Sequence, residues 1–272
     1  MLAKAVQNEL KNEELILTDV AELDITNIDM VRKFVEENKP QYIINCAAYT
    51  AVDKAEEQLD LARKVNALGP KNLAIVANEE NVTLIHISTD YVFSGTKAIE
   101  EPYTEMDEKA PESVYGTTKL EGENAIVDSC FQYYIFRTAW LYGDGNNFVR
   151  TMLKLGKEKE QINVVSDQHG SPTYAVDLAS IIRQAIAKQI PYGIYHATNL
   201  GYTTWYEFTK QIFEKANISC KVNPVTSEEF ASAAKRPKNS KLSKDKLLKE
   251  GIEIPTYEDA LNRYLKIELN KE

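Results

Sequence analysis

Apolar residues Leu2, Val6 and Leu10 recur every four positions, which predicts an amphipathic helix at the start of the chain. A short apolar run, Leu15–Thr18, predicts a strand that ends in Asp19. Thr26-x-x-Asp29 has the form of a capping box and precedes the helical pattern Ile28, Val31, Phe34, Val35. Tyr42 to Cys46 reads as a buried strand, and helical patterns follow over roughly 56–79, joined near Gly69-Pro70. Further strands are predicted over Val82–Ser88 and Tyr133–Thr138, with a helix from Ser113 to Val127 between them. Strands with unrelieved apolar character, alternating with helices, predict an α/β fold: a Rossmann-type doubly wound parallel sheet.

Beyond residue 145 the pattern is mixed. Asn147–Leu155, Val176–Ala187 and Tyr206–Ala216 read as helical, while Ile162–Val165 and Gly193–Thr198 read as extended. Two more helices are expected near 242–249 and 256–268. The expected organisation is a dinucleotide-binding domain over 1–145 and a smaller substrate-binding lobe over 146–272, some of whose segments return to the sheet.

Composition refines this picture at a few points. There are 11 glycines, and none precedes Gly69, so the first quarter of the chain holds neither a P-loop nor a G-x-G-x-x-G turn. A net charge of −9 without basic blocks argues against a nucleic-acid partner. The three cysteines, Cys46, Cys130 and Cys220, lie far apart without metal-ligand spacing, which reads as reduced thiols in a cytoplasmic protein. No apolar run approaches the ~18 residues of a membrane span.

In such sheets ligands bind beyond the carboxyl ends of the strands. The residues there are Asp19, Asn45 to Thr50, Ser88-Thr89-Asp90 and Arg137 to Trp140. Asp19 could accept both hydroxyls of an adenine ribose and would repel a 2′-phosphate, which leans toward NADH. A strand-ending Asp is also an ordinary turn residue. Tyr115 and Lys119, four apart, share one helical face, and an ammonium beside a phenol lowers the phenol's pKa toward a catalytic range. Tyr206 and Lys210 have the same spacing without hydroxyls upstream, and read as a surface pair.

Tyr-x-x-x-Lys after a Ser-Thr-Asp strand end resembles the extended short-chain dehydrogenase/reductases. Four longer strings, Asn45 to Asp53, Ser88 to Gly95, Phe136 to Gly143 and Asp167 to Thr173, together with Arg236-Pro237, resemble the dTDP-4-dehydrorhamnose reductase family. The resemblance implies reduction of the C4 ketone of a dTDP-4-dehydro sugar by NADH or NADPH. It casts Tyr115 as general acid, Lys119 as the partner that lowers its pKa and holds the nicotinamide ribose, and Thr89 as a hydrogen-bond donor to the same oxygen. Asp19, Asp24 and Ile25 match adenosine contacts, and Ala47, Ala48, Tyr49 and Thr50 match the loop along the cofactor backbone. Asp90, Trp140, Gln168 and Arg236 match substrate contacts; a core aromatic and a surface cation are the plainer readings of Trp140 and Arg236. The related dehydratases carry Glu after the strand-end Asp, where this chain has Tyr91, so the resemblance implies reduction without elimination.

Against that family, the chain begins about one turn into the first helix, without the preceding strand and glycine-rich turn. Loss of a central strand would leave neighbouring backbone groups unpaired, so weak or absent cofactor binding by this 272-residue chain is expected. A truncated or misplaced start and a repurposed chain are the two explanations. The alternative function is a non-catalytic binding subunit resembling the methionine adenosyltransferase regulatory subunit. A Mg2+ requirement is not indicated by the residues and is left open, as is the choice between monomer and homodimer.

Overall fold

The computed structural model describes residues 1–230 and 232–270. Four parallel strands form the main sheet: β1 (Tyr42–Asn45), β2 (Thr83–Thr89), β3 (Tyr133–Thr138) and, returning from the second half of the chain, Gly193–His196. They lie side by side in that order. Successive residues of β2 and β3 point to opposite faces, as the pleat requires. Leu84 and Ile135 enter a core with helices α1 (Ile28–Asn38), α2 (Gly69–Glu79) and α3 (Val114–Ser129). Ile85, Tyr134 and Phe136 enter the opposite core, with the N-terminal helix Leu2–Glu9 and the helix Ala175–Lys188. Helices therefore cover both faces of the sheet, which is the doubly wound arrangement.

A second body of side chains packs around Tyr142, Val149, Phe208, Ile212, Leu261 and Tyr264. Beside it the strands Gln161–Val165 and Lys221–Val225 pair in parallel. Among the described residues no helix is long and apolar enough to cross a membrane.

Two local expectations are corrected. Leu15–Thr18 is not a strand. A strand exists only with a hydrogen-bonding neighbour, and β1 closes the sheet on that side without reaching it. Ile16 and Leu17 are consequently exposed. The cap of α1 is Asn27 rather than Thr26: the Asn27 side chain accepts from the amides of Asp29 and Met30. Thr26 instead donates its hydroxyl to Asp24, 2.6 Å away.

Candidate active site

The carboxyl end of β2 and the first turns of α3 build the site. Ser113 caps α3 by accepting from the Gly116 amide at 3.1 Å, which fixes where the helix begins and so where Tyr115 stands. Gly116 permits this placement, since a Cβ there would lie 2.3 Å from the Tyr91 carbonyl oxygen. Tyr115 packs edge-on against Tyr91, with ring centroids 5.5 Å apart. The Thr89 hydroxyl donates to Asp90 Oδ1 at 3.0 Å. Thr89 and Asp90 both act on the Tyr115 phenol, so the three side chains are neighbours at the strand end.

Burial sets the protonation of this group. Desolvation lifts the Tyr115 phenol to about 12, against the lowering effect of the neighbouring Thr89 hydroxyl. Desolvation also lifts the Asp90 carboxyl to about 6. Lys119 lies one turn beyond Tyr115, 1% exposed, and burial pushes its side chain down to about 8. Its Nζ donates to the Ile87 carbonyl at 2.6 Å and lies 3.1 Å from His86 Nε2. Lys119 turns to β2 in the cofactor-free chain, and the influences on Tyr115 there are burial, Thr89 and Asp90.

The loop after β1 is held by a residue that sequence spacing did not single out. Asn66, fully buried in the π-helical turn Lys64–Leu68, accepts from the Tyr49 amide at 2.8 Å and donates to the Tyr49 carbonyl at 3.1 Å. Asn66 Nδ2 also donates to Thr118 Oγ1 at 3.2 Å, tying Ala47 to Thr50 to the helix that carries Tyr115. Gly122 makes room, since a Cβ there would sit 2.2 Å from the Asn66 carbonyl oxygen. A π-turn is a common device at functional sites, but nothing in the residue pattern announces it.

The remaining candidates are placed separately. Arg236 forms a two-pronged ion pair with Asp53, at 3.1 and 2.7 Å, and joins the C-terminal segment to the loop after β1. Gln168 is buried and donates to Ser227 at 3.0 Å. Trp140 has a left-handed backbone, φ 50°, and stacks on Trp205 with centroids 3.6 Å apart. Asp24 bonds locally to Thr26, and that bond holds its carboxyl below the usual range. The Ile25 carbonyl accepts from Asn72 at 3.0 Å, and Asp19 is exposed with Oδ1 on the Val20 amide. Tyr206 and Lys210 are a helix-surface pair, the ammonium lying 5.2 Å from the ring centroid.

Several buried polar atoms at the strand ends have no partner among the described residues: Ser88 Oγ, Asp90 Oδ2 and Thr138 Oγ1. Ser88 and Thr138 lie on adjacent strands, since Ser88 and Thr89 of β2 pair with Arg137 and Thr138 of β3, and Asp90 directly follows β2. Buried polar atoms are ordinarily satisfied. Unsatisfied ones at the carboxyl end of the sheet fit a ligand rich in hydroxyl and amide groups, as a nicotinamide riboside or a sugar is. Among the described residues no three His, Cys, Asp or Glu side chains are grouped to hold a metal ion.

Comparison with known proteins gives a consistent answer. Residues 1–269 match the family model described as the RmlD substrate binding domain. A crystal structure of a dTDP-4-dehydrorhamnose reductase from Clostridium acetobutylicum superposes with a TM-score of 0.95 at 50% identity, covering 100% of this chain and 96% of the other. The Bacillus anthracis dTDP-4-dehydrorhamnose reductase, solved in complex with NADP, superposes with a TM-score of 0.93 at 44% identity, covering 97% and 94%. The dTDP-4-dehydrorhamnose reductase of Aggregatibacter actinomycetemcomitans is 41% identical, over 96% of this chain and 92% of its own.

Proposed function

The chain belongs to the dTDP-4-dehydrorhamnose reductase family, and on that footing we infer that it reduces the C4 ketone of dTDP-4-dehydro-L-rhamnose to dTDP-L-rhamnose with NAD(P)H. The observation that carries this reading is the placing of Thr89, Asp90 and Tyr115 together at the carboxyl end of the sheet, with Lys119 one turn below. When bound, the nicotinamide supplies hydride to the C4 carbon. Tyr115 donates its proton to the oxygen that becomes an alkoxide. A phenol held near 12 is protonated at neutral pH, which is the state an acid in the reducing direction needs. Thr89, turning its one hydroxyl hydrogen from Asp90 to the same oxygen, stabilises its charge. Lys119 holds the nicotinamide ribose.

Asp19, Asp24 and Ile25 are assigned to the adenosine, and Ala47, Ala48, Tyr49 and Thr50 to the cofactor backbone. Asp90, Trp140, Gln168 and Arg236 are assigned to the substrate. The unpartnered Ser88 Oγ, Asp90 Oδ2 and Thr138 Oγ1 support a polar ligand at the strand ends. Tyr91 favours reduction over elimination: it fills the place after Asp90 with a phenol packed on Tyr115, where a second carboxylate would be needed. None of the relatives described above is a regulatory subunit, and the non-catalytic alternative has no observation in its favour.

The test is incubation of the purified chain with dTDP-4-dehydro-L-rhamnose and NADPH, and separately NADH. Loss of reduced nicotinamide should match dTDP-L-rhamnose formed, one for one. A folded sample that binds either coenzyme yet leaves it unoxidised in the presence of the ketosugar would overturn the reading.

A further inference from the structure

A line of three buried side chains runs behind the site: Asn45 at the end of β1, His86 in β2 and Lys119 in α3. The first link has an unambiguous direction. The Ala47 amide is a donor only, and it lies 3.0 Å from Asn45 Oδ1, so the Asn45 oxygen faces Ala47. The other end of that amide, Nδ2, carries two hydrogens and no free lone pair. Nδ2 lies 3.1 Å from His86 Nδ1, which must therefore be the unprotonated nitrogen. A neutral imidazole then carries its hydrogen on Nε2. That hydrogen is aimed at Lys119 Nζ, 3.1 Å away. An ammonium has three donors and no acceptor, whereas an amine has one lone pair.

We propose that His86 is a positioning residue for Lys119: fixed by Asn45 in its Nε2–H tautomer, it donates to the Lys119 side chain and keeps it a neutral amine at neutral pH in the cofactor-free protein. The amine's own hydrogens remain for the Ile87 carbonyl, 2.6 Å away, and for the site.

The surroundings support this assignment. His86 is 0% exposed, and burial, the largest influence on it, holds it far below the usual histidine range, so the ring is neutral. Burial already brings Lys119 to about 8, and donation from Nε2–H, which only the amine can receive, moves it lower still. The titratable groups facing Lys119 are His86 from β2 and Glu123 from its own helix. Glu123 would hold the lysine proton, but both of its oxygens are engaged by Arg137 of β3, at 2.9 and 2.7 Å. A neutral Lys119 leaves Tyr115 protonated. That consequence rests on the reductase reading; the tautomer does not.

The experiment reads the proton positions directly in the cofactor-free full chain. Long-range 1H–15N spectra of the three imidazoles give the tautomers. His86 is assigned by its loss in His86→Gln, or by its contacts to Asn45 where that variant does not fold. Lysine 13Cε spectra give the titration of Lys119. The expected result is an Nε2–H tautomer unchanged between about pH 6 and 8, and a Lys119 midpoint below about 7, against roughly 10.4 for a free lysine. An Nδ1–H tautomer, a doubly protonated His86 or an ordinary lysine midpoint would overturn the proposal. In Asn45→Asp one carboxylate oxygen can serve Ala47 while the other accepts Nδ1–H. The tautomer should then swap, and the Lys119 midpoint should rise by about one unit or more, a tenfold change in proton affinity. An unswapped tautomer in that variant also overturns it. Absence of ketosugar reduction would refute the reductase reading and leave the tautomer result standing.

Discussion

Arg137 and Glu123 are joined by bonds of 2.9 and 2.7 Å where their side chains are 0% and 1% exposed, binding the middle of the sheet to the helix that carries Tyr115 and Lys119. Removing one partner strands a buried charge, and such losses cost about 3–5 kcal/mol. Glu123→Gln and Arg137→Met should each show a loss of that order in urea unfolding. The double variant Arg137→Met with Glu123→Leu should recover most of it, because apolar pairs of similar volume replace buried ion pairs at little cost. A double variant as unstable as the sum of the singles would refute the assignment.

Tyr115→Phe keeps the ring that packs on Tyr91 and removes only the hydroxyl. Ketosugar reduction should fall about 10²–10⁴-fold in kcat, the usual worth of a positioned acid. The melting temperature should stay close to that of the parent. Steady-state kinetics beside a thermal melt separates the two effects.

Asp90 gives the fold a pH signature. Its carboxyl is raised from 3.8 to about 6 by burial, so between those values the folded chain keeps a proton that the unfolded chain has released. Stability from this group is therefore full below the unfolded value and falls as pH rises toward the folded one. The loss across that window should be on the order of 2–3 kcal/mol. Asp90→Asn should remove it: its stability relative to the parent should increase as pH rises through the window. Denaturant midpoints at several pH values measure this, and parallel curves for the two proteins would contradict it.

Asn66 holds the loop of Tyr49 against α3 through three bonds. Asn66→Ala leaves the Tyr49 amide without its partner, at about 1–3 kcal/mol. If Ala47 to Thr50 follow the cofactor backbone, KM for NAD(P)H should rise several-fold while kcat changes less. A change confined to kcat would argue that the loop serves something else.

The periodicity of apolar residues predicted the doubly wound sheet, because strands covered on both faces need unbroken apolar runs and the helices between them need one apolar face. Val31, Val35, Ile85 and Ile135 lie in the cores where those patterns put them. The Tyr115–Lys119 spacing and the Ser88-Thr89-Asp90 strand end were legible for the same reason: each is a local pattern on one element. Leu15–Thr18 was misread because a strand depends on a neighbour, which residue propensity does not contain. The charge environment of Tyr115 also needed three dimensions. Lys119 turns to His86 and Ile87 on β2, Glu123 is claimed by Arg137 on β3, and Asn66 reaches Tyr49 across 17 residues. Those links join residues distant along the chain, so only packing decides them. The sequence determined which groups were present for chemistry; the tertiary structure decided which of them carry protons, by setting how deeply each is buried and which partner it meets.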